Sequence, residues 1–361
     1  MRLKSLLLRD FRNYRSLDVD FSENVNILWG KNAQGKTNIL EAIYFLATAR
    51  SFRTLDRRNL IFWDKEGFLL SGTVVNETEK NVKITFFKNK KSAQINKRQL
   101  KKLSDLIGVL RVVIFTPEDI FLMKGSPLQR RRFIDIYLSQ VDKNYIAALQ
   151  TFKKILIRRN SEIKRRTGEK TPFLWDEQLS QHCAYIIKRR QEVIEELSKA
   201  AYSYHREITK NKERLKIEYQ PSIKVNEPEK ENIFEYLAER RKKDIEEGYT
   251  ARGPHRDDIS FIVDGRDAKL FGSEGQQRSV ALSLKNAEFN LMCKATGDVP
   301  LILADDVLPV LDMERRKAFF PSIEGRTQIF VSSTDKRDVV NIKGGKKLFR
   351  VFSGNINEER L

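Results

Sequence analysis

The sequence predicts an α/β fold in which a nucleotide-binding head is split by a helical insertion. Three observations predict it. Gly30 to Thr37 read GKNAQGKT, which fits the phosphate-cradle pattern G-x-x-x-x-G-K-[ST]. The octet sits between an apolar strand pattern, Val25 to Trp29, and a helical one, Thr37 to Thr48, with Ile39, Leu40, Ile43 and Leu46 on one side. Far downstream, Pro300 to Asp306 (PLILADD) is an apolar strand pattern ending in two acids. A strand, a glycine loop and a helix place phosphates at a helix N-terminus, where free N–H groups and the helix dipole favour anions.

The elements divide the chain into a strand-rich head segment (1–115), a charged helical lobe (116–249) and a second head segment (250–361). Strand composition marks Leu3–Leu8, Leu17–Phe21, Val25–Trp29, Phe68–Val75, Val82–Phe87 and Val112–Phe115 in the first segment. In the lobe, Tyr145, Leu149, Phe152, Leu156, Arg159 and Ile163 alternate spacings of four and three. Cys183, Ile187, Arg190, Ile194, Leu197, Ala201, Tyr204 and Ile208 do the same. Thr167-Gly168 and Thr171-Pro172 break the chain between them, which predicts a short antiparallel helical hairpin. The arginine in each seam predicts an imperfect, partly exposed interface; ordinary amphipathic helices of a compact lobe are the alternative. Asn226 to Glu231 reads as an exposed loop. In the last segment, Ile259–Val263 and Ala268–Phe271 flank Gly265-Arg266 like a hairpin. A helix follows from near Ser279 through Val280 to Met292, and Leu301–Ala304 and Gln328–Ser332 read as strands.

The chemistry follows from these placements. Gly30 and Gly35 let the backbone curl so that its N–H groups face phosphate oxygens. Lys31, Asn32, Ala33, Gln34 and Asn38 complete the nucleotide-contacting set. Lys36 reaches the β- and γ-phosphates, and the Thr37 hydroxyl ligates Mg²⁺. Asp305 is placed to hold the same metal, and Asp306 to act as the base that orients the attacking water. A second anion-favouring segment, Gly272 to Ser279 (GSEGQQRS), precedes a helix and offers Ser273, Gly275 and Gln276. One nucleotide does not need two cradles in one chain. Ser273 is therefore read as serving the nucleotide of a second subunit, so that two chains clasp two ATPs head to tail.

Composition narrows the partners. A net charge of +19 and a pI of about 9.7 point to a polyanion, nucleic acid before anionic membrane. Cys183 and Cys293 form no metal-spaced pair, and His182, His205 and His255 show no zinc spacing. His182 and His205 lie in a helical pattern and read as packing or surface residues. MRLKSLLLRDFRNYRS has too short an apolar run for a signal peptide, and no segment approaches ~18 uninterrupted apolar residues. A cytoplasmic, nucleoid-associated protein without a membrane partner is expected.

The order GKNAQGKT, GSEGQ, LILADD and LD resembles the ABC-type ATPase heads, and more specifically the RecF family of bacterial DNA replication and repair proteins. LRDFRNY (Leu8 to Tyr14), GKTNILEAIYFLA, PEDIFLMKGSPLQRRRFID (Pro117 to Asp135), GYTARGPHRDD (Gly248 to Asp258), FGSEGQQRS and LADDVLPVLDMERR carry the likeness from Leu3 to about Asp335. The resemblance implies an ABC-type ATPase head with a helical second lobe between its two halves, and an ATP-dependent homodimer with weak, DNA-stimulated ATPase activity. It implies that Arg12 and Asn13 join the nucleotide site. It implies action in recombinational repair and the SOS response at gapped DNA or single- to double-strand junctions, helping RecO and RecR load the RecA recombinase. The chain departs from related heads at Ala33, where glycine is frequent, and at Pro309, before Leu311-Asp312. Asp306 is one methylene shorter than the glutamate of transporters, which implies slow hydrolysis. Thr334 and Asp335 stand at the switch position without a histidine, and Glu118 is the available candidate for the glutamine sensor.

Arg57-Arg58, Arg130-Arg131-Arg132, Arg158-Arg159, Lys164-Arg165-Arg166, Lys188-Arg189-Arg190 and Arg240 to Lys243 form basic clusters. Without a recognition helix or stacking motif they imply backbone-dominated DNA binding, with Arg57, Arg58, Arg130 and Arg131 as candidates. A solvated helix face, or for Arg130 to Arg132 a structural role after the Gly125-Ser126-Pro127 turn, is the competing reading. Three other functions fit the sequence less well. A transporter energy subunit conflicts with the missing switch histidine and the charge. A long-armed chromosome organiser conflicts with the short insertion. A nuclease head lacks a second acidic cluster.

Overall fold

The computed structural model describes residues 1–165, 170–307, 325–335 and 345–359, without the side chains of 170–173. Pro309, Leu311, Asp312, Arg166, Thr167 and Gly168 lie outside the described set. The chain forms two compact units. The first joins Met1–Asp119 to Lys285–Leu361, and the second is Ile120–Leu284. The return to the first unit therefore falls at Lys285 rather than at 250, because the strands after 250 pair within the second unit.

Two sheets build the first unit. β1 (Arg2–Phe11), β2 (Tyr14–Asp20), β4 (Gly67–Val75), β5 (Glu79–Phe87), β6 (Lys90–Ile95) and β7 (Arg98–Gln99) form an antiparallel sheet of order β2-β1-β4-β5-β6-β7. Burial alternates along β4, as expected of a sheet with one face on the core. The other sheet has the order β15-β14-β3-β13-β12-β8. Its strands are β3 (Val25–Trp29), β8 (Val112–Phe115), β12 (Leu301–Ala304), β13 (Ile329–Ser333), β14 (Lys346–Phe352) and β15 (Asn355–Glu359). β8, β12, β13, β3 and β14 are parallel neighbours. Val112–Phe115, Leu301–Ala304 and Ile329–Ser333 are buried at every position, which is why β8 and β12 read as unbroken apolar runs. α1 (Lys36–Thr48) contacts both sheets and is buried all round from Ile39 to Thr48, not on one side only.

The second unit carries α2 (Phe121–Lys124), α3 (Pro127–Val141), α4 (Lys143–Arg165), α5 (Lys170–Ile208) and α6 (Lys230–Glu247). A small sheet accompanies them, of order β11-β10-β9, from β9 (Leu215–Gln220), β10 (Asp258–Val263) and β11 (Arg266–Asp267). The β10–β11 turn is Asp264-Gly265, with positive φ at both residues, as a two-residue hairpin requires. The second arm is only Arg266–Asp267, and Ala268–Phe271 turns away instead of continuing as a strand. α7 (Glu274–Thr296) carries the chain back to the first unit. Thr171-Pro172 lies in the first turn of α5 rather than in a break, a position that tolerates proline. Asn226–Glu229 is loop, but Lys230 and Glu231 already belong to α6.

The helical seam differs from expectation in one respect. Tyr145, Leu149, Phe152, Cys183, Ile187, Ile194 and Leu197 are buried as the spacing predicts, but so are Arg159 and Arg190, which are 0% and 2% exposed. Arg159 donates to Asp176 (2.8 Å), Asp244 (2.8 Å) and Thr250 (2.7 Å). Arg190 donates to Asp135 (2.8 Å), Asp257 (3.0 Å), the Pro254 carbonyl and the Tyr145 hydroxyl. A buried guanidinium is tolerable only when carboxylates and carbonyls satisfy its donors. The stretches Pro117 to Asp135 and Gly248 to Asp258 thus supply partners that hold these arginines. Among the described residues no helix is long and apolar enough to cross a membrane.

Candidate nucleotide site

The phosphate loop follows β3 and closes on the N-terminus of α1. Its backbone has positive φ at Gly30 (154°), Ala33 (64°) and Gly35 (118°). Glycine is needed at both ends for space as well. A Cβ on Gly30 would lie 2.3 Å from the Val351 carbonyl oxygen, and one on Gly35 would lie 2.7 Å from side-chain atoms of Asn13 and Tyr14. Ala33 takes its left-handed conformation with a methyl group, at a cost of about 1 kcal/mol. Lys31 and Asn32 are exposed, and Gln34 anchors the loop by accepting from the Ser353 N–H at 2.8 Å.

Lys36 is 4% exposed, and its Nζ donates to the Gly30 and Lys31 carbonyls at 2.7 and 3.1 Å. The ammonium therefore spans the inside of the loop that the glycines create. Burial lowers its pKa, and the charges of Asp306 and Asp305 oppose that shift. Thr37 Oγ1 donates to Asp305 Oδ1 at 2.9 Å, so the two residues that sequence spacing assigns to the metal meet across the first unit. Ser332, at the end of β13, donates to the same Oδ1 at 2.7 Å and accepts from the Asp306 N–H at 2.8 Å. Burial raises the Asp305 pKa; the two hydroxyls counter this, and the nearby Asp306 and Glu118 carboxylates add to it. Asp306 has positive φ (45°), which turns the chain immediately after β12.

The donor set fits a hard divalent cation. Mg²⁺ takes oxygen ligands and is usually bound through one or two protein groups, waters and substrate phosphates, which matches a hydroxyl and a carboxylate beside a phosphate loop. Among the described residues no cluster of three His, Cys, Asp or Glu side chains could hold a metal alone.

Arg12 and Asn13 are placed differently from each other. Asn13 touches the loop, donating to the Gln34 carbonyl at 2.9 Å and accepting from Asn38 Nδ2 at 2.8 Å. Arg12 makes a two-pronged pair with Glu41 of α1, both bonds 2.8 Å, and donates to the Asn59 carbonyl. Glu41 is wholly buried and also accepts from Ser51. Arg12 thus neutralises a buried acid next to the loop. Thr334 is exposed just after β13, where the Ser333 carbonyl accepts from the Gly30 N–H at 3.3 Å, and Asp335 follows it. Glu118 lies in a single 3₁₀ turn, Pro117–Ile120, after β8.

Ser273 belongs to the second unit. α7 starts at Glu274, not near Ser279, so Gly275 and Gln276 occupy its first turn rather than a loop before it. Ser273 is exposed, and its Oγ accepts from the Gln276 N–H at 3.2 Å while Gln276 Oε1 accepts from the Ser273 N–H at 2.9 Å. This reciprocal cap is masked in GSEGQ by Gly275, which reads as a helix breaker.

The DNA candidates separate as well. Arg130 is 4% exposed, binds Asp258 through two bonds (2.7 and 2.9 Å) and donates to the Leu122 and Gly125 carbonyls. Its guanidinium is buried and committed to the fold rather than presented to solvent. Arg131 is half-buried and donates to the Asp257 carbonyl through Nη1. Arg58 pairs with Asp56 at 2.7 Å. Arg57 remains. Its Nε has no hydrogen-bond partner among the described residues, and its pKa is lowered by burial and then by Arg50; Lys91 is lowered by burial and then by Arg57. Arg50, Arg57 and Lys91 thus bring three cations together.

Comparison with known proteins agrees with this geometry. Residues 2–358 match the family described as RecF/RecN/SMC N terminal domain. A DNA replication and repair protein RecF of Oceanobacillus iheyensis is 39% identical, over 99% of this chain and 100% of the relative, and one of Clostridium acetobutylicum is 38% identical over the same shares. Among solved structures, the recombination mediator protein RecF of the RecFOR pathway with ATP superposes with a TM-score of 0.92 at 34% identity, covering 99% of this chain and 97% of that one. The same mediator with ATPrS gives 0.91 at 35%, covering 99% and 98%. A Pyrococcus furiosus Smc head shares only the fold, with a TM-score of 0.56 at 17% identity, covering 99% of this chain and 96% of that one.

Proposed function

The chain belongs to the RecF family of DNA replication and repair proteins, and we propose that it is an ATP-gated clamp on DNA in recombinational repair. The observation that carries this reading is the convergence of Lys36, Thr37, Asp305 and Asp306 in one unit while Ser273 stands exposed in the other. ATP contacted by both subunits in a closed dimer, and by one in the open form, shifts the equilibrium toward closure.

In this reading the loop N–H groups and Lys36 bind the phosphates, with Asn13 and Asn38 bracing the loop. Thr37 and Asp305 would hold Mg²⁺, which would supply positive charge against the charge developing on the phosphates. Asp306 orients the attacking water and accepts its proton, and the partner's signature serine, the counterpart of Ser273, contacts the γ-phosphate. The short Asp306 side chain keeps hydrolysis slow, with DNA accelerating it, and hydrolysis opens the dimer. The charge of +19 and the Arg50, Arg57 and Lys91 group support contact with the DNA backbone at gaps or junctions. The RecFOR pathway of the similar structures supports RecO and RecR as partners in loading recombinase.

Sedimentation velocity with labelled gapped DNA tests the clamp. Wild-type protein with ATP sediments as a DNA-bound dimer that dissociates as ATP is consumed, and Lys36→Met forms no such dimer. A Lys36→Met chain that dimerises normally with ATP refutes the mechanism.

A further inference from the structure

The Ser273 cap is the end of a chain of side chains that reaches a buried histidine, all within the second unit. Gln276 Nε2 donates to Glu213 Oε1 at 3.1 Å. The other carboxylate oxygen, Glu213 Oε2, meets His205 Nε2 at 3.0 Å. His205 lies in the last turn of α5, is wholly buried, and faces Ser283 Oγ of α7 through Nδ1 at 3.3 Å. Burial pushes the His205 imidazole below its usual value while Glu213 opposes that shift.

The chemistry of an amide gives this chain a purpose. A glutamine side chain has a donor end and an acceptor end, and rotation by half a turn exchanges them. The cap needs the acceptor end on the Ser273 N–H. Glu213 is acceptor-only when ionised, so it attracts the amide NH₂ and leaves the Gln276 oxygen facing Ser273. His205 donates to the second Glu213 oxygen and holds the carboxylate in that position. With the cap closed, Ser273 Oγ accepts from the Gln276 N–H and keeps its proton for an outside acceptor.

We propose that Glu213 and His205 are positioning residues for the signature serine: they fix the orientation of the Gln276 amide, and so the hydroxyl that Ser273 presents to a γ-phosphate held by a second copy of this chain. This rests on the reading of Ser273 as the contact in trans.

The test uses complementation between full-length chains. Glu213→Ala lowers the kcat of ATP hydrolysis by about ten- to a hundred-fold, the scale of a displaced catalytic contact, while its affinity for a fluorescent ATP analogue stays at the wild-type value. Glu213→Gln keeps one acceptor oxygen and gives an intermediate kcat. Mixed with a Lys36→Met chain, Glu213→Ala recovers activity, because a hybrid holds one site built from an intact phosphate loop and an intact signature serine. Ser273→Ala mixed with Lys36→Met is the control. If the control complements and neither Glu213 variant does, or if kcat is unchanged in Glu213→Ala, the positioning role is wrong and the trans reading stands. If the control itself fails, the trans reading fails and takes this proposal with it. Should the alanine variant not fold, Glu213→Gln decides between the same outcomes.

Discussion

Ser332 offers a sharp perturbation of the nucleotide site. Its hydroxyl donates to Asp305 and accepts from the Asp306 N–H, so Ser332→Ala removes both bonds without touching the phosphate loop. A hydrogen bond to a charged group is worth about 1.5–3 kcal/mol. Losing the Ser332 donor therefore raises the Asp305 pKa further, beyond the rise that burial already imposes. The sign is set by which form does the work. Only ionised Asp305 serves as a metal ligand, so activity falls as pH drops through the folded-state value, and that limb moves upward in the variant. For stability the direction is opposite. A raised carboxyl carries its burial penalty in full above the folded-state value, and the penalty is relieved as pH falls toward the unfolded value. The assay is kcat/KM for ATP against pH at saturating Mg²⁺, for wild type, Ser332→Ala and Ser332→Thr. The acidic limb moves to higher pH in the alanine variant and returns with threonine, which keeps the hydroxyl. Coincident limbs for wild type and alanine would show that Ser332 does not hold Asp305 in its working ionisation state.

Three further perturbations follow from the charge placement. Arg159→Met leaves Asp176 and Asp244 buried with part of their compensation removed, and costs about 3–5 kcal/mol in urea unfolding of the second unit; a loss below about 1 kcal/mol would mean the arginine is not balancing buried charge. Arg57→Ala weakens DNA binding and reduces the slope of log affinity against log salt by about 0.9, whereas Arg130→Ala destabilises the fold through Asp258 and leaves the slope of the folded fraction unchanged; the reverse pattern in a salt titration refutes the assignment.

The parts legible in the sequence were those whose signal is local. Val25–Trp29, Val112–Phe115 and Leu301–Ala304 are buried on nearly every side, and an uninterrupted apolar run reports that directly. The phosphate loop and its acids are set by spacing within two short segments. What escaped depends on partners remote in sequence. The heptad spacing located Arg159 and Arg190, but their burial rests on Asp176, Asp244, Asp135 and Asp257, which no local pattern joins to them. Arg130 looks like part of an exposed basic run until Asp258 is placed beside it. Ser332 was read only as the last residue of the strand Gln328–Ser332, although a serine pair closing an apolar strand is itself a polar signal at a strand end. β14 and β15 are rich in charge, and parallel pairing of β14 with β3 gives no turn signal to announce it.

The strand order of the parallel sheet also governs when the protein can begin to work during its synthesis. β3 lies between β13 and β14, so residues 25–29 wait for residues 329–333 and 346–350 before either neighbour exists. At about 5–20 residues per second, a ribosome needs on the order of a quarter-minute to a minute to span that interval. The second unit is contiguous in sequence and has all its pairing partners well before then. The first unit's strand and phosphate loop are made early and completed last, and a nascent chain halted before β13 has a loop sequence without the strand that places Ser332 beside Asp305. A growing chain therefore lacks the neighbouring strands of its phosphate-loop strand until β13 and β14 have been made.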